Sequence, residues 1–168
     1  HDNIDRIYKI QVQKDSDQGY VDYGISPLAL AKAIEDKRSE VEATCRYNSM
    51  SMVFKKDESV FDERIGFVDD PFFSMFNYPF KYGSKDALQD KKSIILSAET
   101  AVKFFGDKNP LGELILLIDN EGVLRSYTVG AVLQKIPQNS SMRFSGLMHF
   151  DTYLDFNDAT DNEWDHFI

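Results

Sequence analysis

Apolar and polar positions along the chain fall mostly into short alternating runs, broken by two stretches of helical period. In the span Ile4 to Gln13, apolar Ile4, Tyr8, Ile10 and Val12 give a partial alternation that predicts a first strand. Asp15-Ser-Asp-Gln-Gly19 follows as a polar turn. Pro27 then suits the first turn of a helix, where its missing N–H does no harm, and Ser26 is the expected cap. Leu30 and Ile34 lie one turn apart, with Leu28 and Ala31 completing the apolar face. The helix is expected to end near Lys37 or Arg38, where positive charge complements the helix dipole.

Two longer runs, about Val41 to Phe54 and Val60 to Val68, read as a hairpin joined at the charged turn Lys55-Lys-Asp-Glu58. Residues 70–80 predict a short helical turn and an aromatic loop, and a polar connection from Gly83 to Asp90 leads to a short strand, Ser93 to Leu96. The next segment carries both stops of a helix. Ser97 can cap it, Ala98, Ala101, Val102 and Phe105 form one apolar stripe, and Gly106 can close it. Strands are then expected at about Glu113 to Ile118, Ser126 to Ile136 and Leu147 to Asp151, with Asp119-Asn-Glu-Gly122 turning between the first two. From Asp155 onward the chain is acidic and weakly patterned. Helices between groups of strands, with hairpins outnumbering crossovers, predict an α+β fold with mixed or antiparallel sheet and two main helices.

At 168 residues the chain suits one domain or two closely joined subdomains. Its 13 Phe and 8 Tyr favour a packed interior over disorder. The net charge of −9 disfavours nucleic acid as a main partner, because phosphates repel an acidic surface. No apolar run approaches the ~20 residues of a membrane helix. With no leader and a start at His1, the expectation is a processed product or an excised piece of a longer protein, with residues 1–168 forming one domain or two subdomains.

Little of the sequence points to catalysis. The single Cys45 excludes an internal disulfide and reads as a small strand residue. His1, His149 and His166 are too scattered for a metal set. Asp155, Asp158, Asp161, Glu163 and Asp165 lack the spacing and the central glycine of a calcium loop, so a solvated acidic segment over residues 155–168 is expected. Neither a nucleophile elbow nor a glycine-rich phosphate cradle occurs, so no catalytic, cofactor or metal residue is assigned. Asp69 and Asp70 could pair in space, but no spacing marks them. The open functional reading is the aromatic loop, in which Phe72, Phe73, Phe76, Tyr78, Phe80 and Tyr82 crowd eleven positions. Phe72, Phe73 and Phe76 share a helical face and read as core. Tyr78, Phe80 and Tyr82 lie beyond it and are the candidate contacts for a partner or an apolar substrate.

Four stretches carry a resemblance to a known family: Asn3 to Ile10, the aromatic run Asp70 to Phe80, the capped segment Leu96 to Glu113, and Tyr127 to Ser140 with His149-Phe-Asp-Thr152. Together, and in this order, they resemble the periplasmic core domain of MacB-like ABC transporter permeases, a family that also includes FtsX and the lipoprotein-releasing permeases. The resemblance implies porter-like αβ subdomains on the periplasmic side of the bacterial inner membrane. It also implies membrane helices in the same full-length chain and a second permease copy. Any ATP would be bound by a separate ABC ATPase subunit or domain, with no cofactor here. Some relatives work with a periplasmic adaptor and an outer-membrane tunnel. The role it implies is non-enzymatic: relaying ATP-driven movement to the export or release of a drug, peptide or lipoprotein. A free periplasmic ligand-binding module is the alternative, with an apolar pocket lined by residues such as Tyr78 and Phe80.

Overall fold

The alternating runs become nine strands among the described residues of a computed structural model, which are 4–16, 19–56, 58–119, 122–137, 140–166 and 168. The first strand starts later than the alternation suggests. Residues Ile4–Arg6 form a single 3-10 turn, and β1 (Val12–Ser16) pairs antiparallel with β2 (Gly19–Tyr23) as a separate two-stranded sheet. Asp15 and Ser16 of the expected turn belong to β1, and residues 17 and 18 lie outside the described residues.

Ser26 does not cap the next helix. Its backbone exchanges two hydrogen bonds with Ile168, both 3.0 Å. Leu28 N–H donates to the His166 carbonyl and Ala29 N–H to that of Glu163. These bonds hold residues 26–29 in an extended-then-turning path, so helix α1 (Leu30–Lys37) starts after Ala29 with no side-chain cap. Tertiary pairing with a segment far along the chain has overridden the local Ser-Pro signal.

The remaining strands build one seven-stranded sheet. In chain order they are β3 (Tyr47–Lys56), β4 (Ser59–Val68), β5 (Phe80–Tyr82), β6 (Ser93–Leu96), β7 (Leu114–Ile118), β8 (Leu124–Leu133) and β9 (Gly146–His149). Their spatial order is β5-β8-β6-β9-β4-β3-β7, and β7 pairs again with β8. Six strands therefore close a hydrogen-bonded circuit, with β5 branching off the end of β8. The pairs β4–β9 and β6–β8 are parallel and the others antiparallel, giving the mixed sheet of an α+β fold. The β3–β4 hairpin is full length, although β3 begins at Tyr47 and not near Val41. Strand β5 and the 3-10 turn Lys85–Gln89, capped by Ser84, occupy stretches expected to be loop.

Adjacent side chains of a strand point to opposite faces, and here both faces are buried. Ile94, Leu96 and Met148 face one core with Phe54, Phe67, Ile115 and Leu117, while their neighbours Ile95 and Leu147 face a second core with Val68, Phe72 and Leu133. Helix α3 (Ala98–Phe105) packs on the first core through Ala101 and Phe104. Its buried stripe is Thr100, Ala101 and Phe104, one position away from the expected stripe, and Val102 is exposed. The caps match expectation: Ser97 Oγ accepts from Thr100 N–H at 3.1 Å, and Gly106 takes φ 65° where a side chain would be strained.

A further helix, α4 (Phe150–Asn157), lies where the last strand and the unpatterned acidic segment were expected to meet. Phe150, Tyr153 and Leu154 sit at i, i+3 and i+4 and are buried in the first core. Its cap is unusual: the His149 ring nitrogen Nδ1 accepts from Asp151 N–H at 3.1 Å. Asp158 then ends the helix in the left-handed conformation, φ 48°.

Candidate functional site

The aromatic loop follows β4 through a one-turn helix, α2 (Phe72–Met75), which starts from Pro71. Phe72 is fully buried, and the Tyr78 ring stacks on it at 5.5 Å between centroids with 10° between planes. Phe72 also meets Phe73 edge-on at 5.3 Å and Phe76 at 5.1 Å, while Tyr78 meets Phe144 at 5.6 Å. Each such pair adds about 0.5–1.5 kcal/mol beyond area burial. These rings are the centre of the second core.

This corrects the expectation of exposure at Tyr78. Only 7% of the residue is exposed. Phe80 and Tyr82 are half-buried and lie on opposite faces: Phe80 packs against the second core and Phe73 at 5.0 Å, Tyr82 against the first core. The three candidate contacts therefore do not converge on one pocket. Placement beyond the helical turn misled the reading, because β5 carries Phe80 and Tyr82 back into the sheet.

The polar groups that do converge are spread far along the sequence. Arg46, just before β3, donates from Nη2 to Asp69 Oδ1 at 2.7 Å and from Nε to Asp69 Oδ2 at 3.0 Å. The Arg46 backbone N–H donates to the same carboxylate at 2.7 Å. Nη1 reaches Asp161 in the acidic segment, and the guanidinium lies 4.0 Å from the centre of the Phe150 ring. Burial works against the Arg46 charge, but the bonds and charge of Asp69, then of Asp161, outweigh it and raise the Arg46 pKa. One side chain thus ties the lead into β3, the end of β4, helix α4 and the C-terminal segment.

Around it, His149 lies 3.6 Å from Asp70 and 3.7 Å from Asp151, and Lys91 lies 2.6 Å from Asp151. Asp69 and Asp70, weighed above as a carboxylate pair, instead take different partners, Arg46 and His149. Partial burial opposes the Asp151 charge, yet its hydrogen bond with Lys91 holds its pKa below the ordinary value. Cys45 sits beside this cluster, and burial, then the Asp69 charge, pushes its thiol up to about 12. That favours the protonated, unreactive form. A second buried charge lies on the other side of the first core. Glu63 of β4 takes Lys103 Nζ of α3 at 2.6 Å and a hydrogen bond from Ser145 Oγ, just before β9.

Both clusters join structural elements, and Lys103 of the second also lines an open surface hollow with Ala98, Glu99, Val102 and Lys135. Among the described residues, no group of three or more His, Cys, Asp or Glu is placed to hold a metal ion. No described helix is long and apolar enough to cross a membrane. Sequence reasoning missed Arg46 and Glu63, because neither belongs to a motif and their partners are distant in sequence.

A family model described as the MacB-like periplasmic core domain matches residues 1–167. Three solved structures are similar in fold. A domain ascribed to a permease protein from Porphyromonas gingivalis has a TM-score of 0.69 at 21% identity, covering 94% of this chain and 67% of that one. The periplasmic region of MacB from Actinobacillus actinomycetemcomitans has a TM-score of 0.61 at 17% identity, covering 77% of this chain and 57% of that one. The extracellular domain of the noncanonic ABC-type transporter YknZ from Gram-positive bacteria has a TM-score of 0.58 at 17% identity, covering 79% and 66%. The chain thus spans between about half and two thirds of the length of these structures. The comparison with curated proteins gives no match.

Proposed function

The chain belongs to the family of MacB-like periplasmic core domains of ABC transporter permeases, and on that premise we propose that it relays movement and makes or breaks no bond itself. ATP hydrolysed by a cytoplasmic ABC ATPase shifts the permease's membrane helices. The periplasmic domains of two permease copies then change their relative arrangement and drive export or release of an amphipathic cargo, such as a drug, peptide or lipoprotein. A periplasmic adaptor and an outer-membrane tunnel would complete the path in permeases that work across both membranes.

The observation that carries this reading is the way the fold resists bending. A relay must pass on displacement without absorbing it. Six strands in a closed hydrogen-bonded circuit cannot splay without breaking a ladder; α3 is pinned to that circuit by the Glu63–Lys103 ion pair, and α4 by the Arg46 guanidinium over its Phe150 ring. The segment near residue 168 is bonded directly to residues 26–29, so load applied at Ser26 passes straight to Ile168. Burial of Tyr78 gives no support to the free binding module, whose pocket that residue was to line.

Locking the two periplasmic domains together in the intact permease, with engineered intersubunit disulfides, tests the proposal. Transport is expected to stop while ATP binding persists, and reduction is expected to restore it. Undiminished transport in the locked state would refute the relay.

A further inference from the structure

Helix α4 is capped by a group that can lose its only free lone pair. His149 is both the last residue of β9 and the N-cap of α4. A backbone N–H can only donate, so the 3.1 Å contact from Asp151 N–H makes His149 Nδ1 an acceptor and puts the ring's own proton on Nε2. Ser, Thr and Asn are common at this position, and their acceptor oxygens persist at every pH. Imidazole differs: it takes up a proton between about pH 8 and pH 5, and the charged ring has two donors and no acceptor. The hydrogen bond that caps α4 therefore belongs to the neutral ring alone.

This ring is set among charges from several elements, with 16% of its side chain exposed. Nε2 lies 3.6 Å from Asp70 Oδ1, in the turn between β4 and α2. Nδ1 lies 3.7 Å from Asp151 Oδ2, on α4 itself, and Lys91, ahead of β6, holds that same oxygen at 2.6 Å. Arg46 bears on Asp151 electrostatically and is itself paired with Asp69 and Asp161. Asp155 and Asp161 act in turn on Lys91. Two carboxylates thus stand within reach of a charged ring, while Lys91 and the positive end of the helix dipole oppose it. Protonation exchanges one bond for others. Asp151 N–H is released, and the two ring N–H groups gain Asp70 and the Asp151 carboxylate as acceptors.

We infer that His149 is a proton-operated clasp on the first turn of α4, closed when the ring is neutral and open when it is charged. The next residue, Phe150, carries the Arg46 guanidinium 4.0 Å from its ring centre. The clasp therefore acts one residue from the contact that ties α4 to the sheet, and the anchorage of α4 becomes a function of the pH around the domain. It operates whether or not the domain passes on movement.

Nuclear magnetic resonance on the 15N-labelled chain tests the clasp between pH 8 and pH 5. The Asp151 carboxylate, held below its ordinary value, stays ionised throughout this range. At pH 8 the ring nitrogen shifts of His149 should show the Nε2–H tautomer. As the ring gains its second proton, solvent-exchange protection of the Asp151 amide, corrected for the intrinsic pH dependence of exchange, should fall about fivefold with the same midpoint. His149→Asn keeps an acceptor at the cap, so protection at residue 151 should then not change with pH. His166→Gln removes the other described histidine, which bonds Tyr153 of α4 at 3.0 Å, and should leave the response intact. A ring carrying its proton on Nδ1 at pH 8 would overturn the inference. So would Asp151 protection that ignores the ring titration, or a response that survives in His149→Asn or vanishes in His166→Gln.

Discussion

Replacing Arg46 with Met keeps an unbranched side chain over the Phe150 ring and removes the charge. The guanidinium and the Asp69 carboxylate are each less than a fifth exposed, at 13% and 17%. Truncating one partner of a buried pair costs about 3–5 kcal/mol, because the other charge is left without its counter-ion. Two corrections apply. Asp69 keeps the hydrogen bond from the backbone N–H of residue 46, which lowers the cost. Asp161 is 47% exposed, so losing that contact adds at most about 1 kcal/mol. The expected destabilisation is therefore about 3–4 kcal/mol, and for a chain of this size each kcal/mol lowers Tm by about 2–4 °C. Denaturant unfolding followed by circular dichroism should show a lower midpoint with unchanged m. Arg46→Lys should lose a substantial part of the same energy, since an ammonium cannot make the two-pronged contact with Asp69. The double substitution Arg46→Met with Asp69→Leu should be more stable than Arg46→Met alone. A loss below about 1 kcal/mol for Arg46→Met, or no recovery in the double variant, would refute the assignment of Arg46 as the tie between these four elements.

Two further outcomes follow from the titrating groups. With its pKa pushed up to about 12, Cys45 should resist alkylation at pH 8 in the folded chain and react fully in denaturant; rapid stoichiometric labelling of native protein would contradict its burial. Asp151 has its folded-state pKa depressed, so its contribution to stability is present above the unfolded value of about 3.8 and is lost as pH falls through the lower folded value. Lys91→Ala should move the Asp151 titration, followed by carboxyl carbon NMR, back toward 3.8, and an unmoved midpoint would exclude Lys91 as its partner.

What could be read in the sequence was what is decided within a turn or two of chain. Helix α3 shows its cap and stop in adjacent residues, and both formed as read. Even there the buried face was misplaced, because Phe104 and Phe105 are neighbours and periodicity does not choose between them. The β3–β4 hairpin was also legible, its two runs being neighbours in sequence joined at a charged turn, although the start of β3 was not. Helix α4 was not, since its cap is a histidine and its start coincides with the end of β9. Ser26 and Pro27 gave a sound local signal that lost to pairing with Ile168. The Arg46 tie was invisible for the same reason: its carboxylates lie 23 and 115 positions away. At Tyr78, the chain's return through β5 decided burial, and three residues of strand carry too little pattern to announce it.

Closure of the six-strand circuit has a consequence for the sheet's edges. An open sheet offers rows of unsatisfied amide and carbonyl groups that recruit strands from other molecules. In the seven-stranded sheet, β7 meets β3 at Val53–Lys55 on one side and β8 on the other, so among the described residues the outer sides of Phe80–Tyr82 and of β3 from Tyr47 to Met52 are short margins without a strand partner. Margins this short and interrupted give a foreign strand little to pair with. Closure thus withdraws most of the strand edge that an open sheet of this size would hold out to neighbouring molecules.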